Sequence, residues 1–134
     1  MEKIEKMFWK SDDLERLGKK TMKEFGDLKH LDDKQCRIAY QWCDKEKKSN
    51  GKLVMADTTI VNDKMKAVTP YDFLITFYQP NCFGLDEERM KRLMYHELCH
   101  VGFEAPDNYS IVPHDLEDFR RVVDKWGTNW IRNN

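Results

Sequence analysis

The sequence lacks the features that mark several common classes of protein. Its 23 basic and 24 acidic residues leave a net charge of −1, so the overall charge does not favour binding to nucleic acid or to a membrane. No apolar run approaches the length of about 20 residues that a membrane-spanning helix needs. The N-terminal stretch is charged from its second residue and contains no apolar core of a secretory signal, so we expect a cytoplasmic protein.

Cysteine spacing also excludes one class of metal site. The four cysteines show no C-x-x-C pair, so a cysteine-rich zinc finger is not indicated. Without a secretory signal we expect them to be free thiols in a reducing compartment. Cys99 lies about 100° around a helix from His100, and we interpret it as a helix-packing residue.

What is present is typical of a folded globular chain. Hydrophobic residues make up 40% of the sequence and aromatic residues 12%, which distinguishes it from a disordered chain. A length of 134 residues is enough for one hydrophobic core, and no repeat, low-complexity tract or linker divides the chain. We therefore expect a single domain over residues 1–134.

The segment Leu85–Phe103 contains the H-E-x-x-H pattern, as His96-Glu97-Leu98-Cys99-His100. Asp86 predicts a helix N-cap, and Gly102 predicts a C-cap. Between them, apolar residues recur at helical spacing: Met90, Leu93, Met94, Leu98 and Val101. A helix over this segment places both histidines on one side, because they are four residues apart.

Glu97 falls within the apolar stripe of this helix. Burying an unpaired carboxylate is costly, so its position favours a partner of opposite charge, such as a metal ion. The alternative is that His96 and His100 are neutral, hydrogen-bonded imidazoles beside the core. The capped helix and the buried glutamate together favour a metal site.

A catalytic zinc usually takes three protein ligands and leaves one position for water. His114 is the preferred third ligand, because imidazole suits zinc and the residue follows a loop long enough to return to the helix. The alternatives are acidic residues downstream of the motif: Glu104, Asp107, Asp115 and Glu117. Asp115 could instead orient an imidazole through a hydrogen bond.

The remaining pattern predicts an α+β fold with a small, mostly antiparallel sheet of about three strands. One helix precedes the sheet, and another begins near His114. Alternating or continuous apolar residues predict strands over Cys36–Trp42, Leu53–Val61 and Tyr71–Tyr78. Asn50-Gly51 predicts a hairpin turn between the first two strands, and the segment after Gly102 reads as a loop.

The stretch Asp72–Trp130 resembles the phage-type metallopeptidase family, a zincin-like group found in phage and prophage proteins. Four segments carry the resemblance: Asp72-Phe73-Leu74-Ile75, His96-Glu97-Leu98-Cys99-His100, His114-Asp115-Leu116-Glu117-Asp118-Phe119 and Trp126-Gly127. The resemblance implies a zincin-like fold and a metal-dependent peptidase. It also implies that His96, His100 and His114 are the ligands and Glu97 the catalytic base.

These inferences predict a zinc-dependent peptidase with one Zn²⁺ per chain, a metal-activated water and Glu97 as general base. The partners expected are peptide or protein substrates, which could add as a strand to a sheet edge, with no nucleic acid and no membrane. Tyr109 is a candidate donor to a developing oxyanion.

Two other functions remain open at this point. One is a non-catalytic phage or prophage regulatory or interaction module stabilised by a structural metal, for which four protein ligands would be expected. The other is a protease that acts on DNA-associated proteins. The balanced charge argues against the second.

Overall fold

The computed structural model describes residues 7–114 and 120–126, and the elements in these ranges confirm the α+β class. The strands are β1 Phe8–Lys10, β2 Ile38–Cys43, β3 Lys48–Ser49, β4 Lys52–Leu53, β5 Ala56–Ile60, β6 Phe73–Tyr78, β7 Val101–Glu104 and β8 Asn108–Ile111. The helices are α1 Asp12–Glu24, α2 Asp63–Lys66, α3 Gln79–Cys82, α4 Glu87–Cys99 and α5 Arg120–Trp126, with a 3-10 helix over Gly26–Leu31. None of the helices in these two ranges has the length and apolar character needed to span a bilayer.

The main sheet has four strands in the order β1-β2-β6-β5, one more than predicted. The two central strands, β2 and β6, run parallel, whereas both outer pairs are antiparallel. The extra strand is β1, which is three residues long and precedes α1. Phe73, Ile75 and Phe77 on β6 are fully buried, as expected for an apolar strand paired on both sides.

The predicted Asn50-Gly51 turn is present, but it joins a smaller hairpin than expected. Both residues have positive φ, 53° and 77°, as a two-residue hairpin turn requires. The turn connects β3 to β4. The longer strands on either side, β2 and β5, are not neighbours, because β6 lies between them.

Helices α1 and α4 cover one face of the main sheet. Ser11 caps α1 by accepting a hydrogen bond from the Leu14 backbone N–H. Gly18 allows close approach of this helix to the sheet, because a Cβ there would lie 2.5 Å from Tyr40 Oη. Helix α4 contributes Leu93, Met94 and Leu98 to the same core.

The segment after α4 is a β-hairpin, so the loop prediction was wrong. His100 is the C-cap of α4, in the right-handed helical region, and Gly102 lies inside β7. Val101 and Phe103 alternate with less buried neighbours, the period of two that a strand requires. Strand β8 pairs antiparallel with β7 from Val101↔Ile111 to Glu104↔Asn108.

The last described element, α5, packs on α4 through Trp126. The indole ring lies 5.6 Å from the ring of Phe25 and 5.5 Å from that of Tyr95, measured between centroids. Its Nε1 donates to the Glu88 carboxylate at 2.8 Å. The segment just after His114, where the sequence predicts the start of this helix, lies outside the described residues.

Candidate metal centre

The motif helix begins where the sequence predicts. The Asp86 side chain accepts a hydrogen bond from the Arg89 backbone N–H at 2.8 Å, and Glu87 and Glu88 place negative charge in the first turn. His96 then lies on α4 and His100 at its C-cap, both half-buried, with ring centroids 5.2 Å apart. A four-residue spacing on one helix therefore presents the two imidazoles side by side.

His114 joins these two residues from the segment that follows β8. Its Nε2 lies 2.9 Å from His100 Nε2 and 3.0 Å from His96 Nε2. The three side chains could hold a metal ion between them, and each offers one ligand atom within 4.8 Å of the others. The structure thus brings together all three histidines that were predicted as ligands.

The chemistry of this donor set fits a metal ion better than a hydrogen-bonded cluster. A neutral imidazole carries one ring proton, so His114 Nε2 can donate to at most one of its two neighbours. Protonating all three rings would place like charges in contact, which is unfavourable. Three imidazole nitrogens directed at a shared cation remove both difficulties, and imidazole is a preferred ligand of zinc.

His100 is oriented by a hydrogen bond on its other nitrogen. Its Nδ1 lies 2.7 Å from the Val112 carbonyl oxygen. A carbonyl only accepts, so Nδ1 carries the proton, and Nε2 presents its lone pair in the neutral ring. Metal-bound histidines are commonly oriented in this way.

Glu97 lies between the two histidines in sequence and is directed into the protein. It is 3% exposed, which confirms its predicted place in the apolar stripe. The Thr58 hydroxyl on β5 lies 2.7 Å from Glu97 Oε1 and 3.1 Å from the Glu97 backbone carbonyl oxygen. Sequence reasoning missed Thr58, because the contact joins residues 39 positions apart and depends on how β5 is placed over α4.

The other residues considered as ligands or catalytic donors lie differently. Glu104 is exposed and accepts from Asn108 Nδ2 at 3.2 Å across the β7–β8 hairpin, and Asp107 is exposed in its turn. Asp115 and Glu117 lie outside the described residues. Tyr109 donates its hydroxyl proton to the Gln35 carbonyl oxygen at 2.7 Å. In this structure that proton is therefore not directed at a developing oxyanion.

The four cysteines are buried thiols that form no disulfide bond, and the thiol form is the one expected from the sequence. Cys99 is 1% exposed and belongs to the hydrophobic core, which confirms its predicted packing role. Burial raises the pKa of Cys36 and of Cys82 to about 12. Both thiols therefore stay protonated near neutral pH, and neither supplies a thiolate ligand or nucleophile.

An ion-pair cluster at the start of β6 fixes the loop that follows β5. Asp72 is fully buried and accepts from the Arg37 backbone N–H at 2.9 Å and from Arg37 Nε at 3.2 Å. Lys66 of α2 lies 3.2 Å from the same carboxylate, and its Nζ is 3.9 Å from the Tyr109 ring centroid. This cluster ties the starts of β2 and β6 to α2 and β8.

The site combines a capped helix with an H-E-x-x-H pattern, a third histidine from a later segment and a buried glutamate. These features are typical of H-E-x-x-H metalloproteins. The family model described as putative phage metallopeptidase matches residues 6–133, and the chain belongs to this family. The family covers nearly the whole chain, more than the stretch Asp72–Trp130 on which the resemblance rests. No curated protein and no solved structure gives a significant match. The family description implies a metal and a peptide or protein substrate.

Proposed function

We propose that the protein is a zinc-dependent peptidase in which His96, His100 and His114 hold one zinc ion and Glu97 is the general base. The observation that carries the proposal is the approach of three Nε2 atoms to one another, with Nε2 of His114 within 3.0 Å of both others, beside the buried Glu97. When bound, zinc would polarise both a water molecule and the substrate carbonyl.

Glu97 supplies the proton transfers that peptide hydrolysis requires. In the proposed reaction its carboxylate takes a proton from the attacking water, whose oxygen forms a bond to the carbonyl carbon. The same carboxyl group then gives that proton to the amide nitrogen as the C–N bond breaks. One group can perform both transfers because it remains beside the ligands on α4 throughout.

The outer edge of β5 is the proposed docking site for an extended substrate. Strand β5 is the last strand of the main sheet, and its register with β6 points alternate backbone groups away from the sheet. The Met55 carbonyl oxygen accepts from the Tyr78 N–H, and the Val61 N–H donates to the Asp72 carbonyl oxygen, so both residues face the β6 side. The alternation along an antiparallel strand then directs the backbone N–H and C=O groups of Ala56, Thr58 and Ile60 outward. A peptide could pair with this edge in the manner of an added strand.

The non-catalytic alternative is less well supported. A structural zinc is normally closed by four protein ligands, whereas the group found among the described residues contains three histidines. A buried glutamate held beside them would also serve no purpose in a purely structural site. No observation favours a protease specific for DNA-associated proteins, and the net charge of −1 argues against it. We also propose that the protein acts in the cytoplasm of a phage-infected or prophage-carrying host, which the family description supports.

The test combines metal analysis with a peptide-library assay on the wild type and Glu97→Gln. We expect one zinc per chain in both proteins, and cleavage by the wild type alone, because the amide cannot accept the proton. The matched control is Glu87→Gln, an exposed glutamate in the first turn of the same helix, which should retain cleavage. Hydrolysis at the wild-type rate by Glu97→Gln would reject Glu97 as the base.

A further inference from the structure

The Thr58–Glu97 contact joins the proposed catalytic base to the proposed substrate-binding edge. Thr58 lies in β5 with its side chain on the face that α4 covers, and its hydroxyl lies 2.7 Å from Glu97 Oε1. Its own backbone N–H and C=O belong to the outward set on the strand edge. One residue therefore touches Glu97 through its side chain and would touch a docked peptide through its backbone.

We propose that Thr58 is a positioning residue that fixes the Glu97 carboxylate for proton transfer and makes its orientation depend on β5. This inference rests on the proposed peptidase function. Thr58 does not contact the reacting atoms in this role, and it acts through Glu97.

The hydroxyl can make only one of its two possible donations at a time. Thr58 Oγ1 carries a single proton, and the two acceptors are Glu97 Oε1 at 2.7 Å and the Glu97 carbonyl oxygen at 3.1 Å. The charged acceptor forms the shorter and stronger bond. The carboxylate is thus held through Oε1.

Strand geometry explains why this position suits a threonine. A β-branched side chain is stiff about χ1 and fits the pleated surface of a strand. The hydroxyl therefore points at α4 with little rotational freedom to lose. Thr59, the next residue, has its side chain on the opposite face of the sheet, where its hydroxyl is 3.4 Å from the Leu74 carbonyl oxygen.

The kinetic test compares three substitutions in the full-length, zinc-loaded protein. Thr58→Val removes the hydroxyl and keeps the branched shape, Thr58→Ser keeps the hydroxyl, and Thr59→Val makes the same chemical change on the opposite face. We expect Thr58→Val to lower kcat by about 10- to 100-fold, the range typical of residues that orient a site, with KM changed less than about two-fold. Thr58→Ser should recover most of kcat, and Thr59→Val should match the wild type.

Three kinetic results would overturn the inference. They are an unchanged kcat in Thr58→Val, an equal loss in Thr58→Val and Thr58→Ser, or an equal loss in Thr58→Val and Thr59→Val. The last two would mean that strand packing, and not the hydroxyl, accounts for the effect. Zinc content measured on every variant separates a loss of the base from a loss of the metal.

A second readout does not depend on activity. Urea unfolding of the metal-free protein is measured for wild type, Thr58→Val, Glu97→Ala and the double variant, with Glu97→Leu as a second background. We expect Thr58→Val to lower the unfolding midpoint in the wild-type background and to have a much smaller effect where Glu97 is absent. Equal shifts in both backgrounds would show that the hydroxyl does not hold Glu97, and would overturn the inference.

The two readouts also separate this inference from the proposed function. If the zinc-loaded wild type cleaves no peptide in the library, the peptidase proposal fails by itself. The unfolding measurements would then still test the Thr58–Glu97 contact. Additive effects of the Thr58 and Glu97 substitutions on the unfolding midpoint would overturn the contact, and non-additive effects would support it as a contact within the fold. Cleavage by the wild type with an unchanged kcat in Thr58→Val would keep the peptidase proposal and remove Thr58 from it.

Discussion

His100 and Val112 are joined by two hydrogen bonds, one from each partner. The imidazole Nδ1 donates to the Val112 carbonyl oxygen at 2.7 Å, and the Val112 backbone N–H donates to the His100 carbonyl oxygen at 2.8 Å. Val112 follows directly after β8 and precedes His114 by two residues. The end of the motif helix is thus fastened to the segment that carries the third histidine, so the β7–β8 hairpin sets the geometry of the candidate centre.

Gly102→Ala should disturb the His100–Val112 pairing without changing a residue of the candidate centre. Gly102 lies in β7, and a Cβ there would collide with Ser110 Oγ and lie 2.9 Å from the Ser110 backbone oxygen and 3.1 Å from Val112 Cγ2. We expect the free energy of unfolding to fall by about 1–3 kcal/mol, as for other overpacked sites, and zinc affinity to fall with it. Urea unfolding of the metal-free protein and a competitive zinc titration measure the two effects.

Gly26→Ala is the matched control for that substitution. A Cβ at Gly26 would meet no atom within 4 Å, so both stability and zinc affinity should stay near the wild-type values. Equal losses in the two variants would mean that the hairpin contact does not account for the effect of Gly102→Ala.

His114→Ala should weaken zinc binding more than the change of any residue that only orients a ligand. Losing an orienting residue typically costs about 10- to 100-fold in metal affinity, so we expect more than about 100-fold from the loss of a direct ligand. Elemental mass spectrometry and a competitive chelator titration report occupancy and affinity. His30→Ala, an exposed histidine on the 3-10 helix, is the control. Unchanged affinity in His114→Ala would move the third ligand to another residue, such as Asp115 or Glu117.

Substrate docking on the edge of β5 predicts sensitivity to backbone N-methylation. Methylating an amide of a cleaved peptide removes one donor, and a net hydrogen bond is worth about 0.5–1.5 kcal/mol. We expect kcat/KM to fall roughly three- to ten-fold when the methyl group blocks an amide directed at β5. Methylation at the adjacent position, where the N–H points away from the strand, should have little effect. Equal sensitivity at successive positions would contradict pairing with the strand edge.

The local parts of the site could be read from the sequence, because their signals are local. Asp86, the apolar spacing of α4 and the four-residue separation of His96 and His100 all act within one helix. His114 could be selected as well, since few other residues offered zinc a preferred ligand. The Asn50-Gly51 turn was equally local, and it formed where predicted.

What the sequence did not reveal depends on contacts between distant segments. The parallel pairing of β2 with β6 brings together residues about 35 positions apart, such as Tyr40 and Ile75, and no turn signal marks it. The β7–β8 hairpin was missed because its short strands flank a turn that includes Pro106, so turn-forming residues dominated the local pattern. The Thr58–Glu97 contact requires both the sheet order and the placement of α4 over β5.

Asp72→Asn should destabilise the protein in a pH-dependent way. Burial alone would raise the pKa of Asp72, but hydrogen bonds from Arg37 and Lys66 outweigh that effect and hold the pKa below its usual range. Because the folded-state pKa is lowered, the carboxylate contributes stability in full above the unfolded-state value of about 3.9. That contribution is lost as the pH falls through the lower, folded-state pKa.

At pH 7 we expect the free energy of unfolding of the variant to be lower by about 1–3 kcal/mol, since Arg37 and Lys66 lose a charged acceptor. Urea unfolding should show this difference narrowing as the pH drops below about 4. The control is Asp107→Asn, at an exposed turn position. Its free energy of unfolding should match that of the wild type both at pH 7 and below about pH 4. A difference between wild type and Asp72→Asn that stays constant from pH 7 down to the acid limit of folding would show that the charge of Asp72 does not stabilise the fold.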